Sequence, residues 1–564
     1  MLQIISGKFF SSNDLEINHG KGVLFSNVGW VCKIKTVVGD LEPIITQDRV
    51  ATYVFNYVNR IERDGFLARI GDSEILEQFK IICSFAFNAY FSRTREHVLS
   101  ICNQNRSAES NGILPAEVLP DVVKFNRRLT LAETEFLINL VEEIIGLERN
   151  NYQKIISSIR TVQNSIEVLN YNFEMAYSLL VYCLESLAGT IGNIRAVWND
   201  IDQKIRHQLG SVFKDISSSN VSEIKRILVE SQHPKAQQSF ITFIENNIDE
   251  SFFTSGTINI QNPIPFSQLK QSLLNAYNIR SRFVHGLDSV PMQLKITQMS
   301  KMDSLIVFGQ PYLTFSGMFR LVRHVIINVI HKLPKVKHEK YNWRSNLPGV
   351  LHAELSPEFW IWQHENFTAE QTLPRLNAFI EQLQIGKIND LTNLMNKVLE
   401  IYPTSQKKYK QFLYYFFILY NFSVIKEQRI PNWEKFYDNH FVEHFKDLSI
   451  FSMLLECFSL GCNKVSIYHK IKCYINYSRS KYKQNRSSLV LPSGFEALIL
   501  CNIANSARDM WTSSEYCWCL NTAISELPSY PKIQGYIYSR MINYDRLDLN
   551  YMLSILQIKD NIKS

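Results

Sequence analysis

Tyr277-Asn278-Ile279-Arg280-Ser281-Arg282-Phe283-Val284-His285-Gly286 joins a helical pattern to a set of reactive side chains. From residue 266 onward apolar positions recur at helical intervals, and Gly286 is a natural place for the helix to stop. Arg280 and His285 stand five apart, which on an ideal helix separates them by about 140°. For the two to act together, the helix must unwind near Gly286 or the long arginine must reach around. A permanently charged, fork-shaped guanidinium binds phosphate, and an imidazole moves protons near neutral pH. Together they suit attack of an RNA 2′-hydroxyl on the adjacent phosphodiester, which needs proton transfer and charge stabilisation but no metal. Arg282 adds a second cation, and Asn278 and Ser281 can supply hydrogen bonds. Arginine and histidine at short spacing are common by chance. Two other pairs, Arg93/His97 and Arg320/His324, are read as surface or helix-packing pairs.

Working outward, a second segment stands about ninety residues upstream: Ala176-Tyr177-Ser178-Leu179-Leu180-Val181-Tyr182-Cys183-Leu184-Glu185-Ser186-Leu187. The two segments together resemble the Apea-like branch of the HEPN superfamily. That branch shows a Tyr, an Arg-Ser-Lys/Arg, two apolar residues and a final His-Gly, here Tyr277, Arg280-Ser281-Arg282, Phe283-Val284 and His285-Gly286. It also shows a helix ending in Leu-Glu-Ser-Leu, here 184–187. The resemblance spans roughly residues 150–335. It implies a helical bundle that forms a homodimer, pairing two Arg/His motifs in one composite cleft. It further implies metal-independent RNA cleavage leaving a 2′,3′-cyclic phosphate, with no cofactor. By resemblance Arg280 contacts the scissile phosphate and His285 transfers protons. Glu185 holds an arginine or orients the motif helix, though a plain ion-pair or capping residue fits it equally well. Tyr277, Asn278, Ser281 and Arg282 support the pair. Many HEPN nucleases carry Asn, Asp or His where Ser281 stands, whereas Apea-like members commonly carry Ser. The resemblance also points to an abortive-infection effector of bacterial anti-phage defence, held inactive by its flanking regions until a phage-derived trigger arrives. The alternative is a non-catalytic HEPN module used for protein or RNA binding and dimerisation. A helical scaffold or antitoxin-like partner is a third class.

The rest of the chain sets the frame. At 564 residues it is too long for one hydrophobic core. Apolar residues make up 46% and charged residues 20%, which fits a folded chain and not a disordered one. Only 21 Gly and 17 Pro punctuate it, so the expected fold class is mainly α. The expected layout is a mixed α/β N-terminal domain over 1–148, a central HEPN bundle over 149–338, and a helical C-terminal domain over 339–564 that senses or regulates. The net charge of +7 permits RNA as a partner without requiring it. The first residues lack the pattern of a secretory signal, and ten cysteines in mostly apolar contexts suit free thiols in a cytoplasmic protein. The most apolar run, 412–425, is too short to cross a bilayer and is expected to be a buried helix, so no membrane partner is expected.

Local patterns give expected elements. Strand-like runs stand at 2–5, 22–25 and 31–34, with turn signals at 11–14 and 19–22. Helices are expected over 74–91, 129–147, 173–191, 198–213, 222–231, 266–284 and 315–333, with Thr130 and Glu133 forming a capping box. In the last part they are expected over 373–383, 388–400, 407–425, 447–460, 494–507 and 514–526. Stretches 103–111 and 478–488 read as loops. Cys457, Cys462, His469 and Cys473 have spacings that fit no common zinc module and are read as core residues. Cys517-Trp518-Cys519 lacks the two-residue gap of a redox pair. No phosphate-binding glycine loop is present.

Overall fold

A computed structural model describes the chain apart from residues 12–13, 45–47, 63–71, 103–111, 193–197, 199–202, 214–215, 232–235, 297–300, 345–346, 348–354, 461–464, 483–488 and 556–564. The loop expected at 103–111 lies outside the described residues. The chain is mainly helical, with 64% helix and 10% strand. It divides into two compact units, Met1–His352 and Ala353–Ser564. Among the described residues no helix is long and apolar enough to cross a membrane.

The first unit opens with a five-stranded sheet in the order Ile34–Thr36, Gly39–Ile44, Ala51–Glu62, Leu15–Ser26, Phe91–Ser92. Its two long strands pair antiparallel in one unbroken register, Leu15 opposite Glu62 to Ser26 opposite Ala51. Tyr53, Phe55 and Tyr57 alternate onto the inner face. There Phe55 stacks on Phe79 of the helix Asp72–Phe87, with ring centroids 3.7 Å apart.

Three local expectations change here. The turn signal at 19–22 lies inside a strand. A Cβ at Gly20 would sit 2.2 Å from the Tyr57 ring, and one at Gly22 would sit 2.0 Å from Leu76. Gly20 leaves room for the ring of its cross-strand partner and Gly22 for the helix packed on the sheet, and neither reverses the chain. The run at 2–5 is a helix, buried on all sides, where four residues, three of them apolar, cannot distinguish helix from strand. Of 31–34 only Ile34 enters a strand.

Behind the sheet stands a helical bundle. Leu131–Gly146 starts at the Thr130/Glu133 capping box, with Glu133 N–H donating to Thr130 Oγ1 at 3.2 Å and Thr130 N–H to Glu133 Oε2 at 2.8 Å. Arg149–Leu169 and Phe173–Ile191 form a helical hairpin, and the second packs also on Ala236–Asn247, Phe266–Gly286 and Phe315–Lys332. A short hairpin, Ser304–Val307 with Gln310–Leu313, turns at Phe308 and Gly309, both with positive φ.

The division expected at 148/149 falls within the first unit, where one hydrophobic core runs from Met1 to Leu347. Gln3 Nε2 donates to Ile145 O at 3.0 Å, and Lys8 Nζ donates to Ile145 O at 3.1 Å and Gly146 O at 2.9 Å. The N-terminal segment thus satisfies carbonyls that the end of Leu131–Gly146 would leave orphaned. Arg323 of the last bundle helix donates to Phe85 O of the helix behind the sheet.

The second unit is entirely helical among the described residues. Lys407–Ser423 is buried continuously from Leu413 to Asn421, and Ser493–Asp509 is nearly as deep. Helices at Trp433–Phe445, Ile467–Ser480, Pro531–Asn543 and Leu549–Ile555 join those expected.

Candidate functional site

The motif helix, Phe266–Gly286, buries Leu269, Ser272, Leu273, Ala276 and Ile279 on one stripe. That spacing turns the stripe toward Phe173–Ile191, a helix capped by Asn172, whose side chain accepts from Met175 N–H. Glu185 of this second helix meets the motif helix beside the stripe. Arg280 Nη2 lies 2.6 Å from Glu185 Oε2, with both side chains 17% exposed. No hydrogen-bond donor among the described residues aligns on that oxygen, so charge more than directional bonding holds the pair. Tyr277 Oη donates to Glu185 Oε1 at 3.2 Å, and the Arg280 guanidinium lies 5.9 Å from the Tyr277 ring centre. Burial, and then the neighbouring Glu185 charge, push the Tyr277 hydroxyl pKa upward. Three of the seven residues singled out from sequence therefore meet in one cluster.

The other four lie elsewhere on the helix. Asn278, Arg282 and His285 are exposed and Ser281 is half-buried. At about 100° per residue, all four fall within one outward sector, and Arg280 stands about 140° from His285. The helix does not unwind between them. It stays α-helical through Gly286, and the left-handed stop falls on Leu287, φ 56, whose N–H donates to Phe283 O at 2.9 Å. The expected stop at Gly286 is thus displaced by one residue onto a side chain that is 80% exposed. Within one chain Arg280 and His285 do not converge.

Three contributors stand outside the seven. Asn275 donates to Pro311 O at 2.8 Å and fastens the Ser304–Leu313 hairpin to the motif helix. This brings Tyr312 beside Asn275, Asn278, Ser281 and Arg282, and these five line an open hollow of about 380 Å³. Gln237 Nε2 donates to Asn278 Oδ1 at 3.1 Å. The two-residue Phe308-Gly309 turn between apolar runs was the available signal for the hairpin.

The competing pairs behave differently. Arg320 Nε donates to Asp303 at 3.0 Å and Nη1 to Phe252 O at 2.9 Å, with its guanidinium 3.6 Å from the Phe252 ring centre. Its donors are spent on packing. Its partner His324 is half-buried against Asp249 and Asn328, and burial lowers its pKa. Arg93 donates to Ser73 on an exposed surface. Cys457 is buried and donates to Met453 O, Cys473 is half-buried, and Cys462 lies outside the described residues. No family model, no curated protein and no solved structure matches this chain.

Proposed function

We propose that the protein is a metal-independent endoribonuclease of the HEPN type, working as a homodimer in bacterial anti-phage defence. The observation that carries this reading is the meeting of two motifs far apart in sequence: Glu185 from the Leu-Glu-Ser-Leu segment contacts both Arg280 and Tyr277 from the Tyr-to-His-Gly segment. In the reaction, the 2′-oxygen bonds to phosphorus as the bond to the 5′-oxygen breaks. His285 transfers protons between the 2′-hydroxyl and the leaving oxygen, and Arg280 neutralises charge on the phosphoryl oxygens. The products are a 2′,3′-cyclic phosphate and a 5′-hydroxyl.

The separation of Arg280 from His285 around one helix favours a cleft built from two copies. It equally favours the second reading, a binding and dimerisation module without catalysis. Cleavage of RNA in EDTA by wild type, Arg280→Ala and His285→Ala separates the two. Loss in both variants supports catalysis, and equal cleavage by all three rejects it. No cleavage by wild type favours the binding module. Mixing the two inactive variants tests the shared cleft. One intact Arg280/His285 pair then forms across each mixed dimer, so activity returns, whereas a site within one chain stays dead.

A further inference from the structure

The outward sector of the motif helix is more than an address for His285. Ser281 precedes His285 by one turn and Arg282 precedes it by three residues, spacings that put neighbouring Cβ atoms about 5–6 Å apart. The hollow lined by Asn275, Asn278, Ser281, Arg282 and Tyr312 therefore lies along the same sector of the helix as His285, which stands outside its lining. Its volume of about 380 Å³ lies within the roughly 300–1,000 Å³ range of small-ligand sites. Its donors divide into two kinds. Asn275 is spent, giving its amide N–H to Pro311 O and accepting from Gln271 at 3.3 Å. Asn278 has its oxygen taken by Gln237, but among the described residues nothing accepts from its nitrogen, from the Ser281 hydroxyl or from the Arg282 guanidinium. A half-buried aromatic ring, a free guanidinium and two unspent polar groups form one wall.

We propose that this hollow seats the nucleotide adjoining the scissile phosphate, an inference that rests on the ribonuclease reading. Arg282 holds a backbone phosphate. The Tyr312 ring flanks the base, because base faces stack on aromatic rings without regard to sequence. The Asn278 nitrogen and the Ser281 hydroxyl meet a base or sugar edge. Arg280, held by Glu185 on the other side of the helix, does not serve this pocket. The motif helix then carries two arginines with separate duties, Arg280 at the reacting phosphate and Arg282 at a neighbouring one.

The test measures binding apart from cleavage. A fluorescein-labelled pool of mixed-sequence RNA hexamers, fully 2′-O-methylated, lacks the attacking hydroxyl. Its anisotropy reports affinity for wild type, Arg282→Ala, Tyr312→Ala and Tyr312→Phe. Tyr312→Ala is expected to weaken binding roughly 5- to 100-fold, with Tyr312→Phe close to wild type because the ring remains. Arg282→Ala is expected to lower the slope of log affinity against log salt by about 0.7, the loss of one phosphate contact on a single strand. Arg282 is exposed, so its variant reads the site even if Tyr312→Ala disturbs the hairpin. Unchanged affinity in Arg282→Ala and Tyr312→Ala overturns the hollow, as does failure of wild type to bind the pool. Either result beside wild-type cleavage of natural RNA leaves the ribonuclease standing. Weakened binding in the variants, with no cleavage by wild type, keeps the hollow as an RNA site and overturns the ribonuclease.

Discussion

Glu185 and Glu496, in the first and second units respectively, each gather a cation and tyrosine around one carboxylate, one hydroxyl at Glu185 and two at Glu496. Glu496 is fully buried. It accepts from Tyr474 and Tyr477 at 3.1 Å each and from Lys481 at 2.8 and 3.0 Å. Each of its oxygens has partners, and the cluster ties Ile467–Ser480 to Ser493–Asp509. Glu185 has Arg280 and Tyr277, stays 17% exposed, and stands on a helix crossing whose outward side carries unspent donors and an exposed histidine. The two clusters share ingredients and differ in completeness. A closed network with every lone pair met fixes helices in place. A cluster left open to solvent, beside groups with nothing to bind, is where chemistry has room.

The largest effects should divide along this line. Replacing His285 or Arg280 by Ala is expected to cut RNA cleavage about 10²- to 10⁴-fold. His285→Ala should leave the urea midpoint unmoved, since that side chain is exposed. Glu496→Ala should do the reverse. Removing the carboxylate of a buried ion pair also orphans the Tyr474 and Tyr477 hydroxyls and costs about 3–5 kcal/mol in denaturant unfolding. Cleavage per folded molecule should stay at the wild-type rate. A collapse of cleavage in folded Glu496→Ala would break the comparison by giving the second unit a catalytic part.

A smaller effect contrasts two histidines. His285 is exposed, whereas His444 is buried, stacked 4.4 Å from Tyr414, with Tyr402 Oη 2.7 Å from its Nε2. Burial pulls the His444 pKa down to about 4. The unfolded chain, titrating near 6.5, therefore takes up this proton first as pH falls. The contribution of His444 is fully present above about pH 6.5 and is lost as pH falls toward 4, on the order of 2–3 kcal/mol. Urea melts across that window should be steeper in pH for wild type than for His444→Gln. Parallel profiles would show that His444 is not buried neutral.

How much of this was legible in sequence follows the kind of force involved. Phe173–Ile191 was readable to both ends because its apolar stripe and its Asn172 cap speak locally. Thr130 and Glu133 were readable for the same reason. Gly20 and Gly22 misled because their role is set by Tyr57 and Leu76, far along the chain. The split at 148 follows where the family resemblance begins, but Arg160 reaches back to Glu74 and Arg323 to Phe85 O across it, contacts that no local pattern marks. At the site, motif residues were visible one by one. Which side of the helix each faces depends on where the helix ends, and Leu287, not Gly286, ends it. Tyr312 was invisible because only the hairpin and Asn275 bring it near.

The finest comparison is between Tyr277 and Tyr477. Tyr277 gives one 3.2 Å hydrogen bond to a carboxylate that keeps Arg280, so Tyr277→Phe should cost about 1 kcal/mol. Tyr477 both donates to Glu496 and accepts the buried Leu491 N–H at 2.7 Å. Tyr477→Phe removes a bond and orphans a backbone donor, which adds about 1–3 kcal/mol. Urea unfolding of the two variants should therefore differ at least twofold in cost, with Tyr477→Phe the larger. In cleavage the order should invert. Tyr277 braces the carboxylate that holds Arg280, so a few-fold loss of rate is expected there and none at Tyr477. Equal costs in both assays would mean that the open and closed clusters are held alike, and that exposure alone, not incomplete bonding, separates them.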